Sequence, residues 1–248
     1  MGREIKGRKP IIGITEGGDA GLDFSWYRKA KDCDGVILIT KRLSDYFIEK
    51  ALDTNCIIHA TITGHGGTVL EPNVPALKES LYYFSTLYDC FDEDKIVLRI
   101  DPIIPTKAGF DAVMNVFDEL LNFGNIHPRV RISFMDNYPH VKERFARAGL
   151  EPLPYSFHAD YIRRKNQLDV LNKMIGNIEV CGEPGFESTG CVSYRDLEIL
   201  DIHEDINYKL YQEITFHQRP ECQCLPYKKE LLPIKKQCKH GCLYCYWR

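Results

Sequence analysis

The chain has no apolar run approaching the roughly 18–20 residues that cross a bilayer, so it offers no membrane span. Its opening, MGREIKGRKP, is charged and lacks the apolar core of a signal peptide. A formal net charge of −3 gives no global attraction to nucleic acid or anionic membrane, although it leaves room for a local basic patch. There is no internal repeat and no low-complexity segment. These absences point to an ordinary globular protein of the cytoplasm. Its 248 residues suffice for one domain, or one domain with a tail.

Cysteine, by contrast, is plentiful. A reducing compartment disfavours structural disulfides, so clustered cysteines there suggest metal ligation or redox chemistry. Of the ten, Cys33, Cys56 and Cys90 are scattered through the first half and read as core residues. Cys181, Cys191, Cys222, Cys224, Cys238, Cys242 and Cys245 crowd the last part of the chain, as packing alone would not require.

Short apolar runs alternate with amphipathic stretches up to about residue 183. PIIGIT (10–15), GVILIT (35–40), CIIHATIT (56–63), KIVLRID (95–101), RVRISFMD (129–136) and NIEVCGE (177–183) read as strands. Helices are expected near 23–31, 42–52, 75–90, 108–123, 139–148 and 158–175. Such alternation implies parallel strands joined by crossovers, a partial or closed TIM-like (β/α) barrel of about six units. In that architecture chemistry sits at the carboxyl ends of the strands. Polar residues stand there: Glu16, Lys41, the Gly64-His65-Gly66-Gly67 turn, Asp101, Asp136 and Glu183. Each has an ordinary reading as a cap or turn residue, but their shared location points to a common cleft. Beyond about 205 the periodicity fades into a segment with six lysines and five cysteines. The expected division is therefore a barrel domain over 1–205 and a cysteine-rich tail over 206–248, folded across the barrel mouth.

The tail ends QCKHGCLYCYWR, placing Cys238, Cys242 and Cys245 at C-x3-C-x2-C spacing. Such a loop brings three thiolates to three irons of a [4Fe-4S] cubane and leaves one iron without a protein ligand. That open iron is where radical-SAM enzymes bind S-adenosylmethionine. Tyr244 holds the usual aromatic position before the last cysteine, and Gly241 permits a tight turn. The rival is zinc, with His240 or Cys224 as a fourth ligand. Cys181, Cys191, Cys222 and Cys224 would complete a second, fully ligated site, for another iron–sulfur cluster or for zinc. The alternative is that Cys181 and Cys191 are buried structural thiols, with Cys222 and Cys224 serving the first site.

Several segments resemble a bacterial domain-of-unknown-function family, number 1848, whose C-terminal cysteine group is similar to the radical-SAM cluster motif. They are ATITGHGGTVLEPNVPAL (60–77), KIVLRIDPIIPT (95–106), VRISFMDNYPHVKERF (130–145), EVCGEPGFESTGCV (179–192) and HQRPECQCLPYKKELLPIKKQCKHGCLYCYW (217–247). The resemblance implies Cys238, Cys242 and Cys245 as cluster ligands. It also draws attention to Glu71, Asn73, Arg99, Asp101, Glu183 and the other four late cysteines. Where family members carry an Arg-Arg-Thr-Asp segment after the first strand, this chain has Thr15-Glu16-Gly17-Gly18-Asp19. Ordinary radical-SAM enzymes carry the motif after the first barrel strand, whereas here it follows the last.

Other segments offer ligand-binding readings beside structural ones. Arg99 and Asp101 share one strand face and either pair with each other or bind the amino acid end of a ligand. Cys181-Gly182-Glu183-Pro184 is similar to the strand end with which radical-SAM proteins hold the methionine amino group. The Thr63–Thr68 glycine loop is a turn or an anion cradle, and Asn73 caps a helix or, with His65 and Glu71, faces substrate. Lys228, Lys229, Lys235, Lys236, Lys239 and Arg248 are interleaved with Tyr244, Tyr246 and Trp247, a pattern that suits nucleic acid but equally suits solvated lysines around a cluster. The leading expectation is a radical-SAM-like enzyme of unknown substrate, served by a reductant protein. The alternatives are a non-SAM iron–sulfur or zinc module with a redox or structural role, and a nucleic-acid-binding protein with a metal-stabilised tail.

Overall fold

The computed structural model describes residues 10–123, 126–202, 220–226, 228–233 and 236–247. Strands and helices alternate: β1 (Ile12–Ile14), α1 (Ser25–Ala30), β2 (Gly35–Thr40), α2 (Asp45–Leu52), β3 (Cys56–Thr61), α3 (Leu77–Cys90), β4 (Ile96–Ile103), α4 (Lys107–Leu121), β5 (Arg129–Phe134), then α5 (Pro139–Arg147), α6 (Tyr161–Ile175), β6 (Ile178–Val180), α7 (Tyr194–Ile199) and β7 (Lys228–Glu230). Helix starts follow local chemistry. Ser44, Thr106 and Asp160 each accept a backbone N–H of the first turn, and Ser193 with Asp196 forms a reciprocal capping box.

All seven strands are parallel, in the order β6-β5-β4-β3-β2-β1-β7. The neighbours run in chain order, as successive (β/α) units require. Among the described residues no ladder joins β6 to β7, so the sheet has two edges and the closed barrel does not form. The sheet also has a seventh strand beyond the six expected. β7 reads Lys-Lys-Glu, without apolar or β-branched residues, and pairs beside β1 through Ile12↔Lys228 to Ile14↔Glu230. The late segment thus contributes an edge of the sheet, and the C-terminal cysteine loop starts from there.

The middle strands are buried on both faces, which explains their unbroken apolar runs. On β2, Val36 and Leu38 pack against the helices, whereas Ile37 and Ile39 join a smaller cluster with Val192, Leu197, Leu200 and Cys191. That second face turns polar toward β4 and β5. Arg99 and Asp101 of β4 and Arg129, Arg131 and Ser133 of β5 lie there. Cys33 and Cys56 are buried as expected. Cys90 is exposed at the end of α3, because the helix stops there and presents its final residue to solvent.

Candidate metal centre

One cavity of about 510 Å³ opens at the carboxyl ends of the strands. Glu16, Lys41, Asp101 and Asp136 line it, so four of the strand-end residues share a cleft. All seven late cysteines line it too.

The C-terminal loop is held mainly by residues that follow the first three strands. Lys41 Nζ donates to Glu71 Oε1 at 2.8 Å and to the Tyr244 hydroxyl at 3.0 Å, and Tyr244 donates in turn to Glu71. His240 is fixed at both ring nitrogens, Nε2 to Asp19 Oδ2 at 2.9 Å and Nδ1 to the Asn73 carbonyl at 3.2 Å. Asn73 Nδ2 donates to the Lys239 carbonyl at 3.0 Å, and Leu243 N donates to the Leu70 carbonyl. Gly241 adopts φ +66 between Cys238 and Cys242, a left-handed turn that a glycine makes without strain. From the far side Arg144 donates to the carbonyls of Cys245 at 2.6 Å and Trp247 at 2.8 Å. Nothing in the sequence pattern singled out Arg144, since its role depends on where α5 lands.

The Cys242 thiol is buried, and those of Cys238 and Cys245 are half-buried. Burial pushes all three upward, Cys242 to about 12, and the Lys41 ammonium opposes this at each. A metal taken up here would displace protons from thiols in the presence of a nearby cation. Three soft donors without a fourth suit an iron–sulfur cubane with one open iron. His240 does not complete a zinc site, because both its nitrogens are engaged. Among the described residues, the three-ligand group whose atoms all lie within 4.8 Å is Glu16, Cys191 and Cys224. Neither Cys238, Cys242 and Cys245 nor any three of the other four late cysteines have sulfurs that all lie within 4.8 Å of one another.

The residues expected to hold a co-substrate divide. Arg99 and Asp101 form an ion pair on the cavity wall, and Ser133 donates to Asp101. Glu183 is buried behind that wall, where it accepts from Phe134 N at 2.7 Å and from Arg164 at 2.9 Å. His65, Glu71 and Asn73 do not line the cavity. Glu71 and Asn73 instead anchor the cysteine loop, and the cap residue of α3 is Ala76 rather than Asn73. In the glycine loop the amides of Gly67, Thr68 and Glu71 are spent on internal turns. Of the basic and aromatic residues of the tail, Lys228 pairs with Glu16 and Tyr244 is buried, while Lys235 and Arg248 lie outside the described residues.

The other four late cysteines also gather. Cys181 and Cys191 Sγ are 3.6 Å apart, and Cys191 N donates to Cys224 Sγ at 3.1 Å. The Cys224 thiol hydrogen-bonds Cys222 and lowers it to about 6, against the effect of burial. Asp19, Tyr138, Tyr246 and Trp247 complete much of the wall. A family model described as "Domain of unknown function (DUF1848)" matches residues 25–247, nearly everything after β1. No curated protein and no solved structure matches the chain.

Proposed function

The chain belongs to the DUF1848 family, whose description names no reaction, and from that premise we propose that it is an iron–sulfur protein of radical-SAM type. Cys238, Cys242 and Cys245 are the ligands of its [4Fe-4S] cluster. The observation that carries this reading is the convergence of those three thiols with Glu16, Lys41, Asp101 and Asp136 on one cavity at the strand ends.

A reduced cluster of this kind, when bound, supplies the electron that cleaves a sulfonium such as S-adenosylmethionine. The chain's own residues do the positioning. Asp19, Asn73 and Glu71 hold the loop through His240, Lys239 and Tyr244. Lys41 sets a positive charge beside three thiolates and reaches the Asp101 carbonyl at 3.3 Å. The Arg99–Asp101 pair offers a cation and an anion to the carboxylate and ammonium of an amino acid. Glu183 is too committed to Arg164 and Phe134 N to serve there without rearrangement, so its contribution is to hold the wall.

Anaerobically purified protein is expected to contain iron with acid-labile sulfide, and Cys242→Ala to lose most of both. S-adenosylmethionine added to the reduced protein is expected to change its electron paramagnetic resonance signal and to yield 5′-deoxyadenosine. Zinc without sulfide at this loop would sink the iron–sulfur reading. An unchanged spectrum with no cleavage would leave a cluster protein without radical chemistry.

A further inference from the structure

We infer that the chain holds a second metal centre, in which Cys181, Cys191, Cys222 and Cys224 bind a single tetrahedral ion of the zinc class on the wall of the same cavity. Its sulfurs are not those of the C-terminal loop, so it does not rest on the reading above. The four thiols arrive from two distant stretches. Cys181 follows β6 and Cys191 precedes α7, whereas Cys222 and Cys224 lie on the segment that enters β7.

The contacts run Cys181 to Cys191 to Cys224 to Cys222. A zinc–sulfur bond of about 2.3 Å in a tetrahedron sets neighbouring sulfurs about 3.8 Å apart. The observed 3.6 Å between Cys181 and Cys191 is close to that edge, and Cys191 and Cys224 lie within 4.8 Å, so a single ion would draw the two ends of this row of sulfurs together. A disulfide would need about 2.05 Å, and all four residues are free thiols. Cys181, Cys191 and Cys224 are buried in the smaller apolar cluster with Cys222 packed against it, but the group is also flanked by cations, which apolar packing does not call for. Arg99 lies beside Cys181 and Cys191, and Lys228 beside Cys222 and Cys224, each near enough for a coulombic effect. Four thiolates around a divalent ion carry a net charge of about −2, which two flanking cations oppose.

Two details support a built site. The Cys191 N–H to the Cys224 sulfur is the kind of outer hydrogen bond that fixes a ligand's orientation. At Gly190 an added Cβ would meet the Cys224 backbone nitrogen at 2.6 Å, so glycine is what lets the two segments close. Glu16 has a carboxylate oxygen within 4.8 Å of the Cys191 and Cys224 sulfurs, but Lys228 holds that side chain at 3.0 Å. It is a neighbour of the ion rather than a ligand. A closed four-ligand site leaves no position for substrate, so its work is structural. It ties the segment entering β7 to the end of β6.

The test uses the full chain with Cys238, Cys242 and Cys245 changed to Ala, purified anaerobically. About one equivalent of zinc with no acid-labile sulfide is expected. Cobalt(II) added to the metal-free form of that variant should develop the absorption of a tetrahedral thiolate complex. Cys191→Ser in the otherwise unchanged chain keeps the question answerable if the triple variant does not fold. That single change should remove the zinc and leave the iron and sulfide of the C-terminal loop. A folded triple variant without metal overturns the inference, as does one holding iron and sulfide at these four cysteines. Zinc retained in full by Cys191→Ser overturns it too. Failure of the C-terminal reading looks different, because iron and sulfide would then be missing from the unaltered protein while zinc remained.

Discussion

At the scale of single residues, the C-terminal loop depends on a few buried polar side chains. Asp19 accepts from Thr40 Oγ1 at 2.7 Å, from Lys41 N at 2.7 Å and from His240. Burial would raise its pKa, but the hydrogen bond and charge of His240, with the Lys41 N–H and the Thr40 hydroxyl, bring it below the ordinary 3.8. A carboxylate depressed on folding stabilises the fold above its unfolded value and loses that contribution as pH falls through the folded one. In denaturant melts of metal-free protein at about pH 5, Asp19→Asn should be less stable than the unaltered chain. The gap should close below about pH 3.8. A gap that persists into strong acid would deny Asp19 this role. Lys41 and Tyr244 act in the same place by different means, since one brings charge and the other a buried hydroxyl that donates to Glu71.

At the scale of elements, the sheet's polar face carries a network that no periodicity announces. Arg129 and Arg131 on β5 meet Glu179 on β6 and Asp196 on α7. Arg129 reaches Asp196 at 2.9 Å and Arg131 Nε reaches Glu179 at 2.8 Å. Asp196 and Arg131 are fully buried. Asp196→Ala leaves buried guanidinium groups short of a partner, for which a loss of about 3–5 kcal/mol in chemical denaturation is expected. A loss under about 1 kcal/mol would mean that Glu179 alone satisfies both arginines.

The same region shows what a sequence can reveal. GVILIT, KIVLRID and RVRISFMD declare buried strands because both their faces are covered, and their positions are recovered within about two residues. β7 is illegible, because Lys-Lys-Glu enters the sheet by pairing with β1 and carries no pattern of its own. The six-residue α7 is too short to show a period. Glu183 ends an apolar run as Asp101 does, yet Gly182 at φ +60 turns the chain first and carries Glu183 behind the cavity wall. Spacing, together with the resemblance to the family, brought Cys238, Cys242 and Cys245 to notice. The partners that hold them, Arg144 above all, follow only from tertiary placement.

Across the whole molecule, the placement of β7 beside β1 resolves the unusual order of the cysteine loop along the chain. A loop that follows β7 arises next to the end of β1, and Asp19, Lys41 and Glu71 from the first three units reach it. The cavity then lies between two groups of sulfur, one on the C-terminal loop and one beyond β6.

That 3.6 Å contact between Cys181 and Cys191 gives the molecule a history as well as a shape. Stripped of metal in air, two thiols so close can give up two electrons to oxygen and join, and the joined pair no longer accepts an ion. Protein made in air should therefore take up zinc poorly at these cysteines until a thiol reductant has been applied and removed. Protein kept from oxygen should need no such treatment. Equal uptake by both preparations, with four thiols titrating in each, would show that the pair does not join. Two samples of one sequence are thus expected to differ by what they were exposed to before the measurement began.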